Sequence, residues 1–149
     1  MSTTSTESAF VLKPLGLVRN LDGNAWLEVD EPYGDAMQGL EQFSHIYVLY
    51  WFHENDTPVD RAVLRVHPCG NPQNPLTGVF ATHSPLRPNL VALTRCRIRR
   101  IQGRRIYVDR IDARDKSPLI DIKSYFPPED DGAVRTPNWF GRRTEEGKR

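Results

Sequence analysis

Hydrophobic and polar residues alternate over short runs along most of this chain, which is the pattern of β-strands. Clusters of Gly, Pro, Asp and Asn separate the runs and predict turns. The predicted strands span residues 10–18, 25–29, 44–52, 61–66, 78–81, 90–99, 104–111 and 119–123. One short helix is predicted over residues 35–43, with Asp35 as its N-cap and Met37, Leu40 and Phe43 on one face.

Short strands linked by turns predict an all-β fold, either a barrel or a sandwich, with one or two short helices. A chain of 149 residues has the length of one domain with its own core. Residues 1–9 are predicted to be a disordered tail, residues 10–128 the β-domain, and residues 129–149 a charged C-terminal extension. GxGxxG and P-loop motifs are absent from the sequence, which argues against a nucleotide-binding α/β fold.

An arginine-rich segment stands out against a net charge of only +1. Seven arginines and one acid, Asp109, lie between residues 95 and 110. Arg95, Arg97 and Arg99 alternate with apolar positions, so they share one face of a half-buried strand. The plain interpretation is a solvated sheet face. The sharper one is a surface that follows the phosphates of RNA, because arginine forks match phosphate oxygens.

Composition and spacing also indicate the cellular compartment and argue against membrane spans and metal sites. Two cysteines, with no CxxC pair, suit a reducing cytoplasm, and the polar N-terminus has no signal-peptide pattern. No run approaches 18 apolar residues, so no membrane span is predicted. The spacing of His53, His67 and His83 matches no metal-binding signature, so no metal is predicted.

Three segments carry candidate chemistry. Residues 78–94 contain two prolines, which predict a stiff, extended polar loop between strands. His53 and Glu54 stand where the most hydrophobic strand ends, and residues 112–118 form an acidic loop. Each has a plain interpretation as a connection, a structural histidine or turn chemistry. The functional interpretation is one pocket for a cationic or hydroxyl-rich ligand.

The same three segments resemble motifs of a known family. GVFATHSPLRPNLVALT at residues 78–94, GLEQFSHI with LYWFH at residues 39–53, and DARDKSPLIDIKSY at residues 112–125 are similar to the motifs of the TsaA-like family, also called YaeB or TrmO. The resemblance covers roughly residues 12–127, with the motifs in the same order. His83 stands where the family has Arg, Leu90 where it has Pro, Ala92 and Lys116 where it has Gly.

The resemblance implies a small single-sheeted β-barrel that binds S-adenosylmethionine, with its active site at a homodimer interface. It implies methylation of N6 of threonylcarbamoyl-adenosine beside the anticodon of tRNA. The cofactor contacts that it implies are His53, Glu54, His83, Leu93, Asp115, Lys116, Ser117 and Pro118. The remaining polar positions of its motifs correspond to the catalytic candidates Asp121, Lys123 and Asn89. The arginines give the RNA-binding candidates Arg87, Arg95, Arg97 and Arg99.

Two other functions stay open at this point. One is a methyltransferase of the same fold that acts on a small molecule, since the C-terminal domain of some family members is not seen here. The other is a non-catalytic module that binds S-adenosylmethionine or RNA. Cofactor binding and the arginine face separate the three possibilities.

Overall fold

A computed structural model describes residues 7–129 and 132–140 of the chain. Six strands form one closed antiparallel barrel in the order β1-β2-β7-β6-β3-β8, which confirms the predicted all-β barrel. Its strands are β1 (Gly16–Leu21), β2 (Asn24–Val29), β3 (His45–Trp51), β6 (Val91–Gln102), β7 (Arg105–Val108) and β8 (Ser117–Ser124). A separate two-stranded sheet pairs β4 (Arg65–Val66) with β5 (Thr77–Gly78).

Short helical turns fill the connections between strands. The α-helix of the described part, α1, spans Pro58–Arg61 and begins at Thr57, whose side chain accepts a hydrogen bond from the backbone of Asp60. The 3₁₀ helices span Glu31–Met37, Leu40–Gln42, His53–Asn55, Pro68–Gly70 and Val79–Ala81. Both α1 and the 3₁₀ helix Pro68–Gly70 begin at proline, whose fixed φ suits a first helical position, and Pro32 is the second residue of Glu31–Met37.

The barrel interior is the hydrophobic core. Along β3 every second side chain points inward, so Ile46, Val48 and Tyr50 are buried while their neighbours face outward. The other strands contribute inward residues in the same way: Val18, Ala25, Leu27, Val29, Ala92, Cys96, Ile106, Val108 and Leu119. Closure of the barrel pairs every long strand on both sides, which leaves no long edge for aggregation.

Three predicted strands differ most from the strands of the structure. The strand predicted at 10–18 begins only at Gly16, and Phe10 and Val11 are about 90% exposed. The strand predicted at 61–66 is wrong over most of its length, because Thr57-Pro58 starts a helix and only Arg65 and Val66 pair. The strand predicted at 78–81 is also wrong beyond Gly78, since a 3₁₀ turn follows it.

The predicted helix at 35–43 is replaced by two 3₁₀ helices, Glu31–Met37 and Leu40–Gln42. Asp30, not Asp35, stands at the N-cap, and its side chain makes no cap bond. Pro32 lies in the first turn of the first helix, Gln38 in an extended conformation ends that helix, and Gly39 at φ 91° precedes the second. Met37 and Leu40 still pack on the core, as their spacing suggests, whereas Phe43 contacts Phe126 instead.

The pairing of β6 with β7 contains one irregularity, which lies on β6. Ile98 pairs with Val108 and Arg100 with Tyr107, so Arg99 is an extra residue. The Asp109 carboxylate accepts a backbone hydrogen bond from Arg97 at 3.0 Å, beside this irregularity. The strand at 119–123 also begins earlier than predicted, at Ser117.

The ends of the predicted domain are partly outside the described residues. Of the predicted tail, residues 1–6 are not described, and of the predicted extension, residues 130–131 and 141–149 are not described. In the ranges that are described, no helix has the length and apolar character needed to cross a bilayer.

Gly16 provides a test of barrel closure. Its φ is 158°, and a Cβ at this position would collide with the backbone carbonyl of Glu28 on the neighbouring strand. We expect Gly16→Ala to lower the free energy of unfolding by about 1–3 kcal/mol, as overpacked core substitutions do. Urea denaturation measures this. Gly78→Ala is the matched control, because the nearest atom to its Cβ is 4.0 Å away. Equal midpoints for the two variants would contradict this account of closure.

Candidate functional site

Three segments distant in sequence meet at one end of the barrel. They surround two depressions of about 250 and 260 Å³ that share Phe52 and Asp112. The first is lined by Phe52, His53, Glu54, Asn55, Pro85, Asp112, Arg114 and Ser117. The second is lined by Tyr50, Phe52, Phe80, Thr82, His83, Arg87, Val91, Ala92, Leu93, Thr94 and Asp112. All three segments singled out in the sequence therefore contribute to one composite site.

The loop at residues 80–90 is held by its own polar side chains. The Thr82 hydroxyl donates to the carbonyl of Val79 and accepts from the backbone N–H of Ser84. The Ser84 hydroxyl accepts from the N–H of Leu86. Arg87 donates to the carbonyls of Thr82 and Ser84, both at 3.1 Å. Local side-chain bonds of this kind, with two prolines, fix the loop without a regular element.

Arg61 ties this loop to α1, and sequence reasoning missed it. Its Nε donates to the carbonyl of Pro88 at 2.8 Å, and a terminal nitrogen lies 3.3 Å from Oδ1 of Asn89. The same guanidinium pairs with Asp56 at 3.2 Å and lies over the ring of Trp51. The Thr-Pro-x-Asp capping sequence at residues 57–60 was the signal that would have placed Arg61 on a helix.

The acidic loop is anchored to β1 through Asp115. Its Oδ1 accepts from Nε of Arg19 and from the backbone N–H of Asn20, both at 2.9 Å. The Asn20 amide donates to the carbonyls of Ile111 and Ala113. The Arg19 hydrogen bond, followed by the Asn20 N–H, lowers the pKa of Asp115 below its usual value. Lys116 follows at φ 69°, a left-handed conformation in which glycine is most at ease.

The end of β3 supplies a second acidic group at the first depression. His53 and Glu54 belong to a 3₁₀ turn directly after Phe52, so they project beyond the core. Glu54 lies 3.5 Å from Nε of Arg114 across the depression, and both side chains are more than half exposed. Such a pair contributes little to stability, so both groups are available to a ligand.

The structure places the predicted cofactor residues in two groups. His53, Glu54 and Ser117 line the first depression, and His83 and Leu93 line the second. Asp115, Lys116 and Pro118 are next to the lining residues Arg114 and Ser117, but the Asp115 carboxylate is turned to β1. Asp112, which borders both depressions, was missed as a contact because acids are common in turns.

The predicted catalytic residues lie away from the depressions of their own chain. Asp121 and Lys123 are on the outer face of β8, where Asp121 is opposite Leu49, and Leu49 is opposite Leu93. Two strand spacings of about 4.8 Å thus separate Asp121 from Leu93. Asn89 is exposed and beside Arg61.

The predicted RNA-binding arginines are not all together. Arg95, Arg97 and Arg99 are exposed along β6, and Arg95 lies 5.1 Å over the ring of Tyr125. Arg87 is instead half-buried in the second depression, where it holds the loop. The alternation of arginines with inward residues on β6 is as predicted.

Neither the core cysteine Cys96 nor a metal centre adds a second reactive site among the described residues. Burial raises the pKa of the Cys96 thiol to about 12, so this core cysteine stays protonated at neutral pH. Within residues 7–129 and 132–140, no three His, Cys, Asp or Glu side chains gather as metal ligands do.

Comparison with known proteins adds relatives of the whole domain. The family described as tRNA-methyltransferase O N-terminal domain matches residues 16–131. A probable S-adenosyl-L-methionine-binding protein of Pyrococcus horikoshii is 46% identical over 117 residues, 78% of this chain and 83% of that protein. A human tRNA (adenine(37)-N6)-methyltransferase is 39% identical over 95 residues, 64% of this chain but only 21% of that protein.

Solved structures share the fold. A crystal structure of TrmO superposes with a TM-score of 0.66 at 28% identity, covering 88% of this chain and 64% of that one. A TrmO structure from Pseudomonas aeruginosa gives 0.64 at 25% identity, covering 87% of this chain and 62% of that one. The chain thus spans somewhat less than two thirds of these solved proteins.

The Asp115 anchor generates a pH-dependent prediction. Because folding lowers the pKa of Asp115, its stabilisation is complete above the ordinary Asp pKa of about 3.9 and is lost as the pH falls through the folded-state value. We expect Asp115→Asn to lower the urea midpoint at pH 7 and the difference from wild type to shrink in acid. Asp35→Asn, at an exposed position, is the control. If the urea midpoint of Asp115→Asn lies as far below that of wild type in acid as at pH 7, the ion pair is not the anchor.

Proposed function

Because the chain belongs to the tRNA-methyltransferase O N-terminal domain family, we propose that it transfers a methyl group from S-adenosylmethionine to tRNA. The observation that carries this proposal is the meeting of the three motif segments around one composite site. A site assembled from residues 52–55, 80–94 and 112–117 is maintained by many separate contacts, which is typical of a functional pocket. A cytoplasmic location is part of the proposal.

The composite site has the chemistry that S-adenosylmethionine requires. Phe52 and the exposed Phe80 offer aromatic surface for a purine. Glu54 and Asp112 offer carboxylates for ribose hydroxyls and for the cationic sulfonium. Arg87 and His83 offer donors for the carboxylate of the methionine part. Each depression alone is below the roughly 300–1,000 Å³ usual for ligand pockets, so the ligand would occupy both.

The contribution of the chain to methyl transfer is positioning. When bound, S-adenosylmethionine supplies an electrophilic methyl group on its sulfonium. The loops fixed by Arg87, Arg61 and Asp115 hold their side chains still, which is the condition for in-line attack by a nitrogen. The acids at the depressions attract the positive charge of the donor and so contribute to its binding.

The proposed acceptor is N6 of threonylcarbamoyl-adenosine beside the anticodon. Arg95, Arg97 and Arg99 would contact the phosphates of the tRNA from the outer face of β6. The N6 nitrogen is part of a urea-like group and is a weak nucleophile, so we assign Asp121 as the base, with Lys123 and Asn89 near the acceptor.

We propose further that the active site is completed in a homodimer. Phe80 is 85% exposed and Leu93 is 47% exposed, so an apolar rim stands open at the second depression. Asp121 does not line the depressions of its own chain, so it would serve the site of the second copy. Sedimentation that finds only monomers under assay conditions would contradict the dimer.

Two variants test both the activity and its assembly. Asp121→Asn should bind S-adenosylmethionine as wild type does in a calorimetric titration, but it should methylate tRNA roughly 100-fold more slowly, as loss of a general base does. Glu54→Gln should weaken cofactor binding. In a mixture of the two inactive variants, mixed dimers carry one site with both wild-type carboxylates, so activity should return. Mass spectrometry of tRNA nucleosides measures the product.

The outcomes of this experiment separate the parts of the proposal. Wild-type protein that binds no S-adenosylmethionine would exclude both enzymatic functions. Binding without any methylated nucleoside would exclude tRNA as the substrate and leave the small-molecule enzyme and the non-catalytic module. Loss of turnover in Asp121→Asn with no recovery on mixing would place the base within its own chain. Unchanged turnover in Asp121→Asn would exclude it as the base.

The arginine face distinguishes tRNA from a small substrate. We expect Arg97→Glu/Arg99→Glu to abolish methylation of tRNA while S-adenosylmethionine still binds, because charge reversal repels phosphates. Lys13→Glu/Arg65→Glu makes the same charge change at exposed positions elsewhere and should retain most activity. A wild-type enzyme that leaves tRNA unmodified but methylates a small molecule, unaffected by the reversal, would favour the alternative substrate class.

A further inference from the structure

A second arginine-rich face lies on the barrel wall formed by β1, β2, β7 and β6. Arg19 pairs across strands with Trp26, Trp26 with Tyr107, and Tyr107 with Arg100. These four outward side chains form one continuous row, which we call the stacking row. The Arg19 guanidinium lies 5.5 Å from the Trp26 ring, and that of Arg100 lies 4.0 Å from the Tyr107 ring. The two rings are 6.0 Å apart.

The acids near the stacking row are already engaged within the protein. The Glu28 carboxylate accepts from the Trp26 indole at 2.9 Å and lies 3.7 and 3.8 Å from Arg19 and Arg105. Asp115 is held by Arg19 at the first end of the row. At the other end, Asp109 accepts backbone N–H groups. The carboxylates are thus turned to local donors, while Arg100 and Arg105 are exposed.

The chemistry of this face fits an unpaired stretch of RNA. Proteins bind single strands by stacking bases on aromatic rings and on guanidinium planes, with cations alongside for the phosphates. The row supplies two rings and two guanidinium groups, and the β6–β7 hairpin supplies the cations. The Arg105 hydrogen bond lowers the pKa of the Tyr107 phenol, which shows that this ring is closely associated with the basic groups.

The stacking row also leads toward the composite site. Its Arg19 end is bonded to Asp115, and the loop that contains Asp115 carries Asp112, Arg114 and Ser117 of the depressions. A strand lying along the row would therefore reach the loop that borders the pocket. This face is separate from the β3–β6–β8 side, where Arg95 contacts Tyr125.

We propose that the stacking row of Arg19, Trp26, Tyr107 and Arg100 binds unpaired nucleotides of the RNA substrate. The inference rests on the proposed function, since it names the surface that holds tRNA during methyl transfer. Arg100 and Tyr107 carry the contact, while Arg19 mainly holds the acidic loop in place.

The test is fluorescence anisotropy of the full-length protein with labelled tRNA and with a short unstructured RNA. Tyr107→Leu should weaken binding of both RNAs roughly tenfold, because one base loses its stacking partner. Tyr107→Phe keeps the ring and should bind nearly as wild type. Arg100→Gln should reduce the slope of log affinity against log salt by about 0.7, the value for one contact to a single strand. Arg65→Gln is the control for an exposed arginine elsewhere.

The outcomes distinguish this inference from the proposed function. Wild-type protein that binds neither RNA would overturn both. RNA binding that is lost in Arg97→Glu/Arg99→Glu but unchanged in Tyr107→Leu and Arg100→Gln would overturn the stacking row alone. Variants of the row that change the sedimenting mass instead of RNA affinity would assign this face to contact between copies. Circular dichroism and cofactor titration check that each variant is folded.

Discussion

The carboxylate of Asp115 is the interaction on which the site depends most. It joins a charged side chain of β1 and a backbone N–H of β1 to the loop that precedes β8. Since β1 and β8 pair over only three positions, this anchor reinforces the weakest seam of the barrel. The same loop carries Asp112 and Ser117, so barrel closure and pocket geometry are one constraint. A loop fixed this way holds its polar groups in place before any ligand binds.

Much of the fold was predictable because burial leaves a period of two in the sequence. Inward and outward residues alternate along all of β3 and along β6 as far as Ile98. The segment 61–66 misled because its apolar residues suit a strand, whereas a capped proline upstream had already started a helix. The first strand was extended too far because Phe10 and Val11 are apolar but have no core to enter in the described structure.

The composite site was predictable as a set of segments but not as a set of contacts. Prolines and polar residues marked the loop at residues 80–90, and its rigidity follows from local hydrogen bonds. Nothing in the pattern separated Asp112, which faces the depressions, from Asp115, which faces β1. Similarly, Arg87 was grouped with the strand arginines, but one of its terminal nitrogens binds two carbonyls of its own loop. The direction in which each of these side chains points depends on how strands distant in sequence pair.

The extra residue at Arg99 determines which side chains face inward in the last part of β6. Before it, alternate residues from Ala92 to Ile98 face inward, and after it Ile101 does so. Without this irregularity, a regular strand of the same length would turn Arg100 into the barrel and Ile101 to solvent, since a single step exchanges the two faces of a strand. Replacing one arginine of this wall leaves the facing of the strand unchanged, whereas inserting or deleting one residue elsewhere in β6 exchanges the two faces beyond that point. The charge of this surface can therefore change by substitution while the register of the barrel strands stays the same.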